Sequence, residues 1–335
     1  MTTPPVSAAE SPITGRLADP PALRKLEVRR APAAYSTDTP PPSFAPFDLG
    51  HRSRSRTVKD AVARVVMWGS FALAMVPLVW ILVTVVTKGI GLLLQSRWWT
   101  NSQRNVNATD VGGGAIHAIQ GTLIQAGVTA LIAVPIGVLT AIYLVEYGRG
   151  RVARAVSFMV DILTGVPSIV AALFIYAVWV TTFGFRRVGF AVCLALVLLM
   201  LPVVVSSTEE MLKLVPNELR EASYALGVPK WVTIIRIVLP TAFSGIVTGI
   251  LLGLARIMGE TAPLLILGPY TKSIATNLFS GPMPTLPTMI NQDRTELGIA
   301  PAVERMWATA LTLILLVLLL NLAGRLVARL GAVRS

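Results

Sequence analysis

The chain has 335 residues, 54% of them hydrophobic and 14% charged, with a mean hydropathy of +0.68, whereas a soluble domain carries about 25% charged residues. This excludes a soluble globular protein. The formal net charge of +12 would suit nucleic acid, but the basic residues fall in short clusters between apolar runs, a pattern of membrane topology rather than of a nucleic-acid surface.

Residues 1–60 are Pro-rich, polar and basic, with no apolar periodicity, and are expected to form a disordered tail. No apolar core with a small-residue cleavage site occurs near Met1, so the first membrane helix is expected to be the targeting signal. A span needs about 20 predominantly apolar residues. Six runs meet this: Val62–Thr87, Ile116–Leu144, Ala155–Thr181, Val188–Ser207, Thr241–Leu267 and Met306–Leu326. Residues 61–332 therefore read as an all-α membrane domain of six transmembrane helices. Pro77, Pro135, Pro167, Pro202 and Pro263 lie inside the runs and predict kinks that neighbouring helices tolerate. After the first run, Arg97, Trp98 and Trp99 fit a short helix at the interface.

The remaining special residues are sparse. His51 and His117 are isolated, and Cys193 stands alone in an apolar run, so there is no disulfide framework and no metal-ligand spacing. Cys193 reads as lipid-facing or core packing, and His117 as packing or pore lining. If the N-terminus is cytoplasmic, the tail, the loop 149–154, the loop after the fourth run and the C-terminus together hold most of the 29 lysines and arginines. Both termini are therefore expected inside a plasma membrane.

The inner loop 208–240 carries helical signals. Asn217 is a candidate N-cap, with Glu218 and Glu221 in the first turn, and Gly227 supplies the left-handed position that ends the helix. Pro229 then starts a second helix, with Trp231, Ile234, Ile235 and Val238 as an apolar stripe. Such a rigid element, with Ala222 and Ser223 expected on its surface, either enters a groove on a partner or merely ties two spans together.

In the fifth run, Arg256 and Glu260 are four residues apart. On a continuous helix they share a face, about 6 Å apart along the axis, with Arg256 roughly 22 Å from Thr241. An unpaired arginine at mid-membrane costs about 2.5 to 3.5 kcal/mol, so both are expected to face the interior or a water-filled path. They read either as an ion pair locking the helix or as a site for an anion. Arginine offers a planar fork to a tetrahedral oxyanion, glutamate balances its charge or accepts a proton, and Gly259 and Thr261 allow close approach and a hydroxyl contact.

Two resemblances follow from these residues. Glu221-Ala222-Ser223, then Gly227, then Ile237, Leu239 and Pro240 match the spacing of the EAA motif of ABC importer permeases, with Ser223 in place of the second alanine. ARIMGETAPLL around Arg256 and DILTGVPSIVAALF from Asp161 to Phe174 resemble the phosphate-specific permeases, more the A-type than the C-type subunit. The resemblance covers about residues 60 to 330 and implies a type I permease fold. In that family the EAA segment is the coupling helix, so Glu221, Ala222, Ser223 and Gly227 would meet a cytoplasmic ATPase, while Arg256, Glu260 and Thr261 would line the substrate pathway. It also implies a second permease, two ATPase subunits that bind the ATP, an extracytoplasmic phosphate-binding protein and inorganic phosphate. No phosphate loop of the form GxxxxGK[ST] occurs in this chain, so it is expected to be non-catalytic and without a cofactor of its own. Sulfate or molybdate permeases, which carry a similar Arg-x-x-Gly-Glu, and an ion-coupled secondary transporter remain alternatives.

Overall fold

A computed structural model describes residues 54–332, so the expected tail lies, up to residue 53, outside the described residues. The chain divides into two units at Ser70 and Phe71. In the first, the described residues are helical. The second holds the sites considered below.

Helices account for the regular structure. They are α1 (Arg54–Leu93), which starts ahead of the expected boundary at residue 60, α2 (Ser96–Thr100), α3 (Ile116–Ile142), α4 (Gly150–Gly165), α5 (Ser168–Ile175) and α6 (Gly189–Lys213). There follow α7 (Asn217–Ala225), α8 (Lys230–Thr233), α9 (Leu239–Met258), α10 (Ala262–Leu267), α11 (Leu286–Arg294) and α12 (Ala300–Ala332). Wider turns extend α3 to Tyr147, α5 to Thr182 and α8 to Val238. Among the described residues, five helical stretches are long and apolar enough to cross a membrane. They are Thr57–Leu93, Ile116–Tyr147, Gly189–Lys213, Lys230–Met258 and Ala300–Arg329.

The third expected span differs from its sequence reading. It is two helices, Gly150–Gly165 and Ser168–Thr182, bent by 109°. A residue before proline is pushed out of the helical region, and Val166, before Pro167, sits at φ −71°, ψ 123°. The two count as a sixth span only if taken together.

The centre of the second unit is α6, packed between α3 and α9, with α12 against α9. Apolar helices gain little by leaving lipid for one another, so their association rests on close packing at small residues. Gly249 illustrates this, since a Cβ there would overlap Ser207 of α6. Cys193 is buried in the core, where its Sγ contacts the Gln125 carbonyl at 3.8 Å. The reading of it as core packing holds. The outward side chains of α1, such as Leu73, Trp80 and Ile81, are apolar and exposed, as a lipid-facing surface requires.

Candidate functional site

One strip of α9 is exposed and polar. Thr241, Ser244, Thr248 and Arg256 recur at helical spacing on it, with Leu252 between them and Gly259 at its end. The opposite face, with Ala242, Ile246, Gly249 and Ile257, is buried. The exposed hydroxyls are partly occupied by their own helix: Thr241 Oγ1 donates to Ile237 O at 2.6 Å and Thr248 Oγ1 to Ser244 O at 2.8 Å. A lipid-facing strip would be apolar, so this one suits a polar surface or water.

At the end of the strip the helix breaks. The amide of Gly259 donates to Arg256 O and that of Glu260 to Ile257 O, both at 3.2 Å, so the last turn tightens and the chain leaves the helical path. Pro263 is the cause, because it has no N–H for the carbonyl four residues earlier and its ring crowds that carbonyl. α10 begins anew after Thr261. The expectation of a continuous helix placing Glu260 one turn above Arg256 is therefore corrected. Arg256 is exposed, Glu260 and Thr261 are half-buried, and no ion pair joins Arg256 to Glu260 among the described residues. Behind the break lies a cavity of about 10 Å³ bordered by Gln125, Met258 and Thr285, enough for one water. Both amide atoms of Gln125 are buried without a partner, as a bound water would explain.

The loop after α6 folds as a helix, a glycine elbow and a second helix. Gly227 has φ +76°, the left-handed conformation that only glycine adopts without strain. Two details of the sequence reading are corrected. Pro216, at φ −57° and ψ 140°, takes the N-cap position. Asn217 is the first helical residue, and its Oδ1 accepts from Arg220 Nη1 at 3.2 Å. Ser223 is not on the surface. It is buried, and its hydroxyl meets Thr233 Oγ1 at 2.8 Å, bracing α7 against α8. Glu221, Ala222 and Gly227 are exposed, together with Tyr224 and Leu226. The expected stripe of the second helix splits, with Ile234 and Val238 buried and Trp231 and Ile235 exposed.

A charge cluster that sequence reasoning missed holds this loop to the end of α3. The Glu146 side chain is 5% exposed; its Oε1 accepts from Arg220 Nε at 3.1 Å and lies in an ion pair 3.0 Å from Arg220 Nη2. The same guanidinium donates to the carbonyls of Leu212 at 2.9 Å and Val215 at 2.6 Å. Lys230 donates to the Glu146 carbonyl, and its ammonium lies 4.7 Å from the Tyr147 ring centre. The contact to the carboxylate is charge-assisted, the stronger kind of hydrogen bond, while the other nitrogens of the same fork serve carbonyls.

A second buried network lies among the segments at the other ends of the spans. Asp293 faces Arg305 at 3.9 Å, and Gln103 Nε2 donates to Asp293 Oδ2 at 3.4 Å. Tyr270 Oη donates to Gln103 Oε1 at 3.1 Å, and His117 Nε2 lies 3.3 Å from the same hydroxyl. Arg305 also donates to the carbonyls of Asn107, Ala108 and Asp110. Burial raises the Asp293 carboxyl above its ordinary value, against the pull of Arg305, Gln103 and Lys272. His117 is fully buried in this packing, not exposed to a path.

Residues 133–330 match the model of the family described as binding-protein-dependent transport system inner membrane component. Phosphate transport system permease protein PstA 1 of Mycobacterium tuberculosis is 53% identical over 287 residues, covering 86% of this chain and 92% of its own. PstA of Mycobacterium leprae is 54% identical, covering 80% and 88%, and PstA of Yersinia pestis 39% identical, covering 81% and 90%. Among solved structures, a chain of a bacterial alginate ABC transporter superposes with a TM-score of 0.55 at 16% identity, covering 82% of this chain and 97% of that one. A chain of an inward-facing methionine ABC transporter gives 0.51 at 21%, covering 65% and 94%. These two likenesses concern the fold, the helical architecture of ABC importer permeases. The chain thus belongs to the binding-protein-dependent transport system inner membrane component family, within its PstA branch of phosphate transport system permeases.

Proposed function

We propose that this chain is a permease subunit of an ATP-driven importer of inorganic phosphate. It forms the pathway with a second permease, both termini are cytoplasmic, and it takes its ATP hydrolysis from two cytoplasmic partner subunits and its substrate from an extracytoplasmic binding protein. The observation that carries this reading is the polar strip of α9 ending in Arg256 at a broken helix. An arginine without an ion partner is unfavourable against lipid, so the strip supports a face turned to a partner and a hydrated path.

In this scheme Arg256 attracts the oxyanion, and its planar fork matches two oxygens of a tetrahedral ion. Thr261 offers a hydroxyl at the break, and Glu260 accepts the proton of a protonated oxyanion, which favours phosphate over sulfate. The exposed face of α7, with Glu221 and Ala222, docks on an ATPase subunit, and Gly227 gives the elbow its shape. Because Lys230–Met258 is one helical stretch, long and apolar enough to cross a membrane, displacement at the docking element passes along a covalent helix to Arg256. The test is uptake of radiolabelled phosphate by proteoliposomes of the complete complex, with sulfate and molybdate as competitors. Uptake that needs no ATPase subunit, or that prefers sulfate, would overturn the reading.

A further inference from the structure

The polar strip of α9 does not end the list of unpaired cations. On α12, Asn321, Arg325 and Arg329 follow at intervals of four, on one face of the helix. Two grooves lie beside α12, the smaller of them between α9 and α12, and Arg325 lines both. The larger, about 730 Å³, reaches from Gly259 at the break to Arg325 and is mainly apolar, lined between them by Leu313, Ile314, Val317, Leu318, Asn321 and Leu322. The smaller, about 390 Å³, is lined by Ser244, Gly245, Thr248, Arg325, Ala328 and Arg329. The helices approach closely beside Arg325, since a Cβ on Gly324 would overlap the Leu251 side chain.

The charge balance of this region is one-sided. No carboxylate lines either groove, and no ion pair engages Arg325 or Arg329 among the described residues. The negative end of the α12 dipole accounts for Arg329, which lies in the last turn. It accounts less well for Arg325, one turn further in, because the dipole effect fades within the last turn. The groove beside Arg325 also carries the hydroxyls of Ser244 and Thr248, from the same strip of α9 that bears Arg256. Cations beside hydroxyls, with no acid to neutralise them, recognise an anion rich in oxygen acceptors.

We propose that Arg325 and Arg329, with Ser244 and Thr248, form a second binding site for a tetrahedral oxyanion between α9 and α12, on the release side of Arg256. This rests on the phosphate-import reading and adds to it a stepwise path. The ion leaves Arg256 at the break, passes along the exposed strip of α9 to Thr248 and Ser244, and is held by Arg325 before reaching the cytoplasm. Thr248 turns its hydroxyl from the Ser244 carbonyl toward the ion when the site fills. A phospholipid headgroup presents the same chemistry, but Ser244 and Thr248 lie on the exposed strip of α9 that also bears Arg256, a continuity that a path for a translocated ion requires and a lipid site does not.

The experiment uses the complete transporter with its binding protein, labelled with phenylglyoxal, an arginine-directed reagent, and read residue by residue by mass spectrometry. Inorganic phosphate should protect Arg325 in nanodiscs of zwitterionic lipid. In proteoliposomes, Arg325→Gln should slow phosphate uptake about tenfold, the loss expected of one charge-assisted contact, while Arg325→Lys retains part of the rate. Equal labelling of Arg325 with and without phosphate overturns the site. So does protection by phosphatidylglycerol alone, which would assign the groove to lipid. Protection confined to Arg256 removes the second site but leaves phosphate import standing. Failure of the unsubstituted complex to import phosphate would strike the import reading, while protection still decides the groove.

Discussion

The two arginines Arg305 and Arg256 occupy opposite situations in one chain. Arg305 is 2% exposed, donates to three carbonyls and faces Asp293. Arg256 is exposed, with neither a carboxylate nor a carbonyl partner among the described residues. Removing one member of a buried pair leaves an uncompensated charge, so the first arrangement finds its partners within this chain and belongs to its stability. The second is incomplete without something from outside. The difference separates a charge that holds the fold from a charge kept free for a ligand or partner.

The comparison breaks first at Arg256. Arg256→Gln is expected to abolish phosphate uptake by the reconstituted complex, with the thermal unfolding midpoint and subunit co-purification unchanged. A variant that imports normally would place Arg256 outside the pathway. Arg305→Leu should do the reverse. It strands the Asp293 carboxylate and three carbonyls, at a cost of about 3 kcal/mol or more, and should lower the unfolding midpoint clearly in detergent. An unchanged midpoint would mean that the network adds nothing to the fold.

The cluster at Glu146 sharpens the contrast, because it is buried and paired yet holds the loop proposed to dock on an ATPase subunit. Glu146→Gln keeps the shape but weakens the hold of Arg220 on the end of α3. Uptake per ATP hydrolysed should fall about fivefold, at the lower end of typical coupling energies, with ATP hydrolysis itself retained. The measurement is the ratio of the two rates in proteoliposomes. If both rates fall together, Glu146 serves assembly alone.

What the sequence reveals and hides follows from the range of each interaction. Long apolar runs locate the membrane-crossing helices, and the glycine elbow at Gly227 is legible because its cause is local. Burial of Ser223 depends on Thr233 across the elbow, so reading α7 alone places it on the surface. The break at Gly259 has a sequence signal in Pro263, but a proline inside an apolar run reads equally as a kink, and only the packed chain decides between them. Glu146 lies 74 residues from Arg220, and Gln103 190 residues from Asp293, distances at which no helical spacing brings partners into view. The identity of Arg256 as an exception was visible, whereas its separation from Glu260 was not.

The smallest expected effect tests the buried network by its proton affinity. Burial holds the Asp293 carboxyl above the ordinary carboxylate value, so the folded chain binds that proton more tightly than the unfolded chain does. The sign of linkage follows: stability rises with pH only where the unfolded state binds more protons, and here the folded state does. The contribution of Asp293 is thus fully present below the ordinary carboxylate value and declines as pH rises through the elevated one. Measured from about pH 4 to about pH 8, the unfolding midpoint of the unsubstituted protein should fall relative to that of Asp293→Asn, whose side chain does not titrate. Parallel curves would show that Arg305, Gln103 and Lys272 offset the burial completely. Arg256→Gln should leave the difference untouched, because the strip of α9 and the buried network share no residue.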